Sequence, residues 1–156
     1  MSCRSSARPA CGRRRDDYGQ QWRRSPGGHQ NRNNGGLYRS DNVDIAAAND
    51  TGGGYCLGWV KAGEWVNYTI RAATAGTFTI DLRVASKGAG GAFDIEVNGV
   101  DKTGPLTIPN TGGWQAWTTI SKGGVALGAG KQVIRVVMDT NGATGSVGNF
   151  NWFAIR

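Results

Sequence analysis

The sequence predicts an all-β fold, a sandwich or barrel of many short strands. Three observations carry this. Apolar and polar residues alternate with a period of two in several segments, Gly- and Asn-rich turns separate those segments at fairly even spacing, and no stretch carries a capped 3.6-residue apolar stripe. Gly contributes 26 of the 156 residues. No Gly-X-Y period accompanies it, which excludes a collagen-like chain. No apolar run reaches the roughly 18 residues a membrane span requires.

In chain order, GEWVNYTI (63–70) places Val66, Tyr68 and Ile70 on one face. GTFTIDLRVAS (76–86) places Phe78, Ile80, Leu82 and Val84 opposite Thr77, Thr79, Asp81 and Arg83. GAFDIEVNGV (91–100) alternates Phe93, Ile95 and Val97 with Asp94, Glu96 and Asn98. The dipeptide Asn98-Gly99 that follows is the signature of a two-residue hairpin. KQVIRVVMDT (131–140) gives Ile134, Val136 and Met138 a common face, and NFNWFAIR (149–156) is apolar on both faces, as expected of a more buried strand. Turn signals fall at 49–54, 75–76, 87–91, 98–99, 110–113 and 141–142.

Charge divides the chain in two. The formal net charge is +7, but residues 1–36 hold eight Arg, no Lys, and only Asp16 and Asp17 as acids, a balance of +6. Residues 37–156 balance at +1. A fold built to neutralise phosphates carries its charge on the folded surface, so nucleic acid is not the expected partner. Residues 1–35 lack apolar periodicity and are expected to form a disordered basic segment; residues 36–156 form the folded domain. The N-terminal segment has no apolar core of a secretory signal. Cys3, Cys11 and Cys56 form no CxxC or Cys/His cluster, and the odd count leaves a thiol outside any intrachain disulfide. Cys56 reads as a small buried apolar residue.

Catalytic devices are sparse. Gly130-Lys131 continues as Gln132 and has Val125 where a P-loop requires Gly, and no GxSxG elbow exists. His29 is the single histidine, and it lies in the basic segment. Asp94 and Glu96 share a strand face about 6–7 Å apart, near the about 5–5.5 Å carboxyl spacing of a retaining glycosidase. Nothing around them in the sequence suggests the burial that raises one pKa, so the plain reading is a solvated outer face. Glu64, beside Trp65, has two readings: a hydrogen-bonding group in a site, or a strand-edge residue.

Aromatic residues beside glycines are more distinctive. Tyr55 follows Gly52-Gly53-Gly54 and Trp114 follows Gly112-Gly113. Glycine loops have no side chains to cover a neighbouring ring, so these rings are expected to be exposed. Two exposed rings suit the axial C–H face of a pyranose. The same rings also have a plain reading as caps on the core. An amide such as Asn149 both donates to and accepts from vicinal hydroxyls.

The blocks YRSDNVDI (38–45), GGGYCLGWVKAGEWVNYTI (52–70), GPLTIPNTGGWQAW (104–117) and MDTNGATGSVGNFNWFAI (138–155) resemble family 6 of the carbohydrate-binding modules over about residues 36–156. The resemblance implies a non-catalytic β-sandwich of jelly-roll type, monomeric and secreted. It also implies attachment to a glycoside hydrolase and binding of a polysaccharide such as xylan, β-1,3- or β-1,4-glucan, or agarose. It implies a sugar cleft in the loops at one edge, with Tyr55 and Trp114 as the aromatic pair, Asn149 as the hydrogen-bonding amide and Glu64 as a further acceptor. Some members of the family use the concave sheet face as a second site.

The chain departs from the family in two places. Cys56 stands where Asn is usual. The family's first strand holds a structural calcium with two Glu side chains, and here Arg14 and Asp16 occupy those positions. Calcium needs oxygen ligands, so Asp16 is the one candidate of the two. Residues 1–32 read as a corrupted first strand, the product expected of a reading-frame error upstream of Asn33.

Overall fold

The computed structural model describes residues 44–156 together with the backbone of Ser5–Ala7. Cys3, Cys11, Asp16 and His29, on which expectations were placed, lie outside the described residues, as does all but Ser5–Ala7 of the basic segment. Those three residues form a short strand.

The strands are β1 (Ser5–Ala7), β2 (Ile45–Ala47), β3 (Tyr55–Leu57), β4 (Trp65–Ala72), β5 (Gly76–Ala85), β6 (Ala92–Val97), β7 (Val100–Asp101), β8 (Leu106–Thr107), β9 (Thr118–Leu127), β10 (Gly130–Thr140) and β11 (Asn149–Ile155). No helix occurs among the described residues. One sheet has the order β2-β3-β11-β5-β9, with β1 also against β11; the other has the order β4-β10-β6-β7, with β8 also against β6. Each of these strand pairs is antiparallel. The architecture is therefore the two-sheet sandwich that the alternation predicts.

The period-two faces are where the core sits. Ile80, Leu82 and Val84 from β5 meet Phe93, Ile95 and Val97 from β6, with Ile134, Val136 and Met138 from β10. Each such side chain taken from water contributes on the order of 1.5–3 kcal/mol. Strand β11 is buried along most of its length and supplies two rings that cross between the sheets. Phe153 meets Tyr68 of β4 edge-on at 4.9 Å, and Phe150 meets Phe93 of β6 edge-on at 5.0 Å. Such geometry sets the positive ring edge against the negative face. Burial holds the Tyr68 hydroxyl well above the ordinary tyrosine range. Cys56 is buried and free, as its sequence context suggested, and burial raises its thiol pKa.

The Asn98-Gly99 turn joins β6 to β7 with both residues at positive φ, 51° and 82°, the pattern of a type I′ hairpin. A tighter constraint lies at the opposite end of β6. Gly90 N–H donates to Ile108 O, Ile108 N–H to Gly91 O, Gly91 N–H to Val147 O, and Ala143 N–H to Ala89 O. The main chains come so close here that a Cβ on Gly91 would sit 1.9 Å from Thr140 O, and one on Gly142 would sit 2.4 Å from Ala89 O.

Because the obstacle is backbone, Gly91→Ala cannot be relieved by a rotamer change. We expect the substitution to cost at least about 3 kcal/mol of stability, measured as a lower denaturant midpoint with an unchanged slope. Gly53→Ala, at a site open to solvent, serves as the control for a purely conformational cost.

Candidate functional site

The β2–β3 hairpin, the β3–β4 turn, the β8–β9 loop and the start of β11 converge at one edge of the sandwich. The hairpin is fixed first. Asp50 in its turn receives a bidentate fork from Arg83 of β5, with Nε and Nη2 both at 2.9 Å, and a third hydrogen bond from Asn151 Nδ2 at 2.9 Å. The Asp50 side chain is 6% exposed. The Arg83 guanidinium holds its carboxyl below the usual carboxylate range.

The β8–β9 loop is held at its start by Thr111, whose N–H and hydroxyl both donate to Ser86 O. Asn110 Oδ1 accepts from Gly88 N–H and Gly112 N–H, each at 3.0 Å. Trp114 follows, half-buried, and its carbonyl accepts from Asn149 Nδ2 at 2.7 Å. The other end of the same amide faces the β3–β4 turn: Asn149 Oδ1 lies 3.4 Å from where a Cβ on Gly58 would be. Asn149 is 7% exposed and thus forms the floor between two loops.

The residue after Gly58 is Trp59, which the sequence alone does not single out. Its ring is 45% exposed, and its φ is +54°, a conformation that bulky L-residues rarely adopt. Its neighbours hold it there. Gly58 N–H donates to Asp44 O at 3.0 Å, and Val60 O accepts from Val147 N–H at 2.9 Å. Strain of this kind gathers at ligand sites. The one sequence signal was the Gly-Trp step itself.

Tyr55 was expected at an exposed loop tip. It instead begins strand β3, pairs with Ala47 across the hairpin, and is half-buried. The glycine run before it turns the hairpin and does not leave the ring at a tip. Trp114 is likewise half-buried and not fully exposed. Glu64 uses one oxygen to close its own turn, with Oε2 accepting Lys61 N–H at 2.9 Å. Burial, with Asp44 nearby, raises its pKa. The Lys61 ammonium reaches across to Gly145 O at 2.5 Å and Ser146 Oγ at 3.3 Å. Glu64 therefore supports the turn that presents Trp59.

The outer face of β4-β10-β6 differs from the solvated face expected. Glu96 is paired with Arg135 at 3.2 Å, and Arg135 also donates to Asn67 Oδ1 and lies 4.7 Å from the Trp65 ring centroid. The guanidinium thus caps that ring. Asp94 has a buried Oδ1 without a hydrogen-bond partner. Burial, then the carboxylates of Asp139, Asp101 and Glu96, push its carboxyl up to about 7. A register shift between Met138 and Thr140 brings Asp139 there. The raised acid feels the charge of Asp139 most, while Glu96 is held by Arg135. The Asp94–Glu96 device of a glycosidase is thus not assembled. Among the described residues no group of three or more His, Cys, Asp or Glu side chains is placed to hold a metal. No described helix is long and apolar enough to cross a membrane.

Residues 37–156 match the family described as "Carbohydrate binding module (family 6)", and the chain belongs to that family of non-catalytic modules. It is 34% identical to a family 6 module of Cellvibrio mixtus lichenase 5A in complex with cellotriose, with a TM-score of 0.64 over 73% of this chain and 86% of that one. It is 32% identical to a β-1,3-glucan-binding family 6 module of Bacillus halodurans, with a TM-score of 0.63 over 73% of this chain and 85% of that one. It is also 40% identical over 86 residues to the clotting factor G alpha subunit of Tachypleus tridentatus, covering 54% of this chain and 13% of that protein.

The raised Asp94 pKa has a signed consequence. The folded state keeps a proton there that the unfolded chain gives up near the ordinary pKa. This contribution is therefore complete in acid and is lost as pH rises towards about 7. Asp94→Asn is expected to flatten the fall in Tm between about pH 4 and 8 and to raise Tm by a few degrees at the alkaline end. Thermal scans of both proteins across that range check it; parallel curves would contradict the assignment.

Proposed function

We propose that this module binds a β-glucan chain at the loop edge, with Trp59 and Trp114 as the two aromatic walls and Asn149 as the floor. The observation that carries this is the Trp59 ring, held out at positive φ by two pinned neighbours, next to the amide that also fixes Trp114. A pyranose offers C–H groups to each ring, and the ring edge leaves its hydroxyls for amide and main-chain partners. The modules described with cellotriose and β-1,3-glucan, at 34% and 32% identity, are more similar in sequence to this chain than a family 6 module of Clostridium cellulolyticum in complex with xylose, at 25%, and this supports a glucan over xylan. Tyr55 lines the hairpin side of the cleft.

The site performs no bond-making step. Its effect is to keep whatever is covalently attached to the module close to polymer, which raises effective substrate concentration. An attached secreted glycoside hydrolase is the partner that gains from this. On the sheet face, Arg135 already occupies the Trp65 ring, so the loop edge is the site that offers an uncovered indole.

Affinity electrophoresis through gels containing laminarin, hydroxyethylcellulose, xylan or agarose tests the proposal. The native chain is expected to be retarded by a glucan, and Trp59→Ala and Trp114→Ala to lose at least about tenfold in affinity, as hot-spot aromatics do. Tyr55→Ala should retain the larger share of binding. Full retardation of Trp59→Ala with loss in Tyr55→Ala would restore Tyr55–Trp114 as the pair.

A further inference from the structure

Residues 108–117 connect β8 to β9 without strand pairing. The first half of this loop is tied to the end of β5 through Thr111 and Asn110. Beyond Trp114 the tie is a single side chain. Gln115 reaches back to the β2–β3 hairpin and uses both ends of its amide there: Oε1 accepts Asn49 N–H at 3.0 Å, and Nε2 donates to Ala47 O at 3.1 Å. Nε2 also lies 3.8 Å from Cys56 Sγ. The amide reads a donor and an acceptor two residues apart on one strand end, as a further β-rung would.

The hairpin that Gln115 grips is already anchored by the Arg83–Asp50 fork, and the core beneath does not involve Gln115. Gln115 is therefore spare as a fold element. It is the residue that spaces the Trp114 loop from the hairpin that carries Tyr55 and leads into Trp59. We propose that Gln115 is a positioning residue for the sugar cleft: its bidentate amide sets the separation of the aromatic walls before ligand arrives. This rests on the loop-edge site proposed above. A wall that must be ordered on binding costs affinity, whereas one fixed beforehand does not.

The replacements separate length from hydrogen bonding. Gln115→Met keeps the length and removes both hydrogen bonds. Gln115→Glu keeps the acceptor for Asn49 N–H and, when ionised, sets an oxygen against Ala47 O. When protonated it regains a donor. Burial holds Cys56 above its ordinary range and Arg83 holds Asp50 below its own; Glu64 beside Trp59 has a raised pKa and titrates alike in the native protein and the variants, so affinities are compared with the native protein at each pH.

The test uses the full chain with laminarin and hydroxyethylcellulose, at about pH 7.5 and about pH 3.3, either side of the ordinary Glu pKa of about 4.3, with Trp114→Ala and the native protein alongside. The expected result is a fall in affinity of about tenfold for Gln115→Met at both pH values. Gln115→Glu should fall at least as far at neutral pH and recover most of it in acid, relative to the native protein. Circular dichroism should be native, and Tm within a few degrees.

Native binding by both variants, with binding lost in Trp114→Ala, would overturn the role of Gln115 and leave the site standing. Native binding by Trp114→Ala would overturn the site, and the positioning role with it. If neither variant folds, Gln115→Asn decides: it keeps the amide but withdraws it by one methylene, and reduced affinity in a folded protein supports the assignment. Native affinity of Gln115→Asn, or failure of all three to fold, makes Gln115 a fold residue and overturns the proposal.

Discussion

Three stretches of main chain meet at Gly90–Gly91, Ile108 and the 140–148 turn, at distances that leave no room for a Cβ. The loop edge depends on this junction. One stretch leads from Ile108 to Trp114, another from Val147 to Asn149, and Val147 in turn grips Val60 beside Trp59. The three residues of the candidate cleft are thus each within a few peptides of one hydrogen-bonded node. A loop normally has freedom that its ligand must remove. Here backbone contact has removed much of it, and a core of interdigitated strands supports the node from below.

Amide and carboxylate side chains then do for the loops what ladders do for the sheets. Asp50, Asn110, Gln115, Asn141 and Asn149 each accept or donate across to a different segment. The described residues have neither helix nor disulfide to brace these segments, so the bracing comes from short polar side chains with fixed geometry. The opposite arrangement holds on the outer face of β10, where Arg135 gathers Asn67, Glu96 and Trp65 into one closed cluster. On that sheet face Arg135 covers the Trp65 ring; the loop edge leaves the Trp59 indole open to solvent.

Much of the fold could be read from period and punctuation. The faces of β4, β5, β6, β10 and β11 follow the alternation, and the Asn98-Gly99 turn follows its dipeptide. Strand β9 escaped notice because Gly123-Gly124 breaks its alternation and most of it lies at a half-exposed edge. Strands β2 and β3 are three residues long, too short for a period to register. The site was legible by neighbourhood more than by residue. Trp114 and Asn149 came from local sequence, but glycines drew attention to Tyr55, whereas exposure depended on a backbone angle at Trp59 set by Asp44 and Val147. Asp94 was misread as solvated because its neighbour Asp139 arrives from another strand through a register shift that no local pattern announces.

Strand β11 also defines a path for mechanical load. It starts at Asn149 in the floor of the edge cleft and runs seven residues, about 20 Å, to Ile155. It lies between β5 on one side and β3 with β1 on the other. Tension applied between its two ends would be directed along this strand. Its hydrogen bonds to β5 would then be sheared together, where a peripheral hairpin would peel open one rung at a time. A strand paired on both sides along its length answers a pull along its axis with its whole ladder at once, and β11 is such a strand.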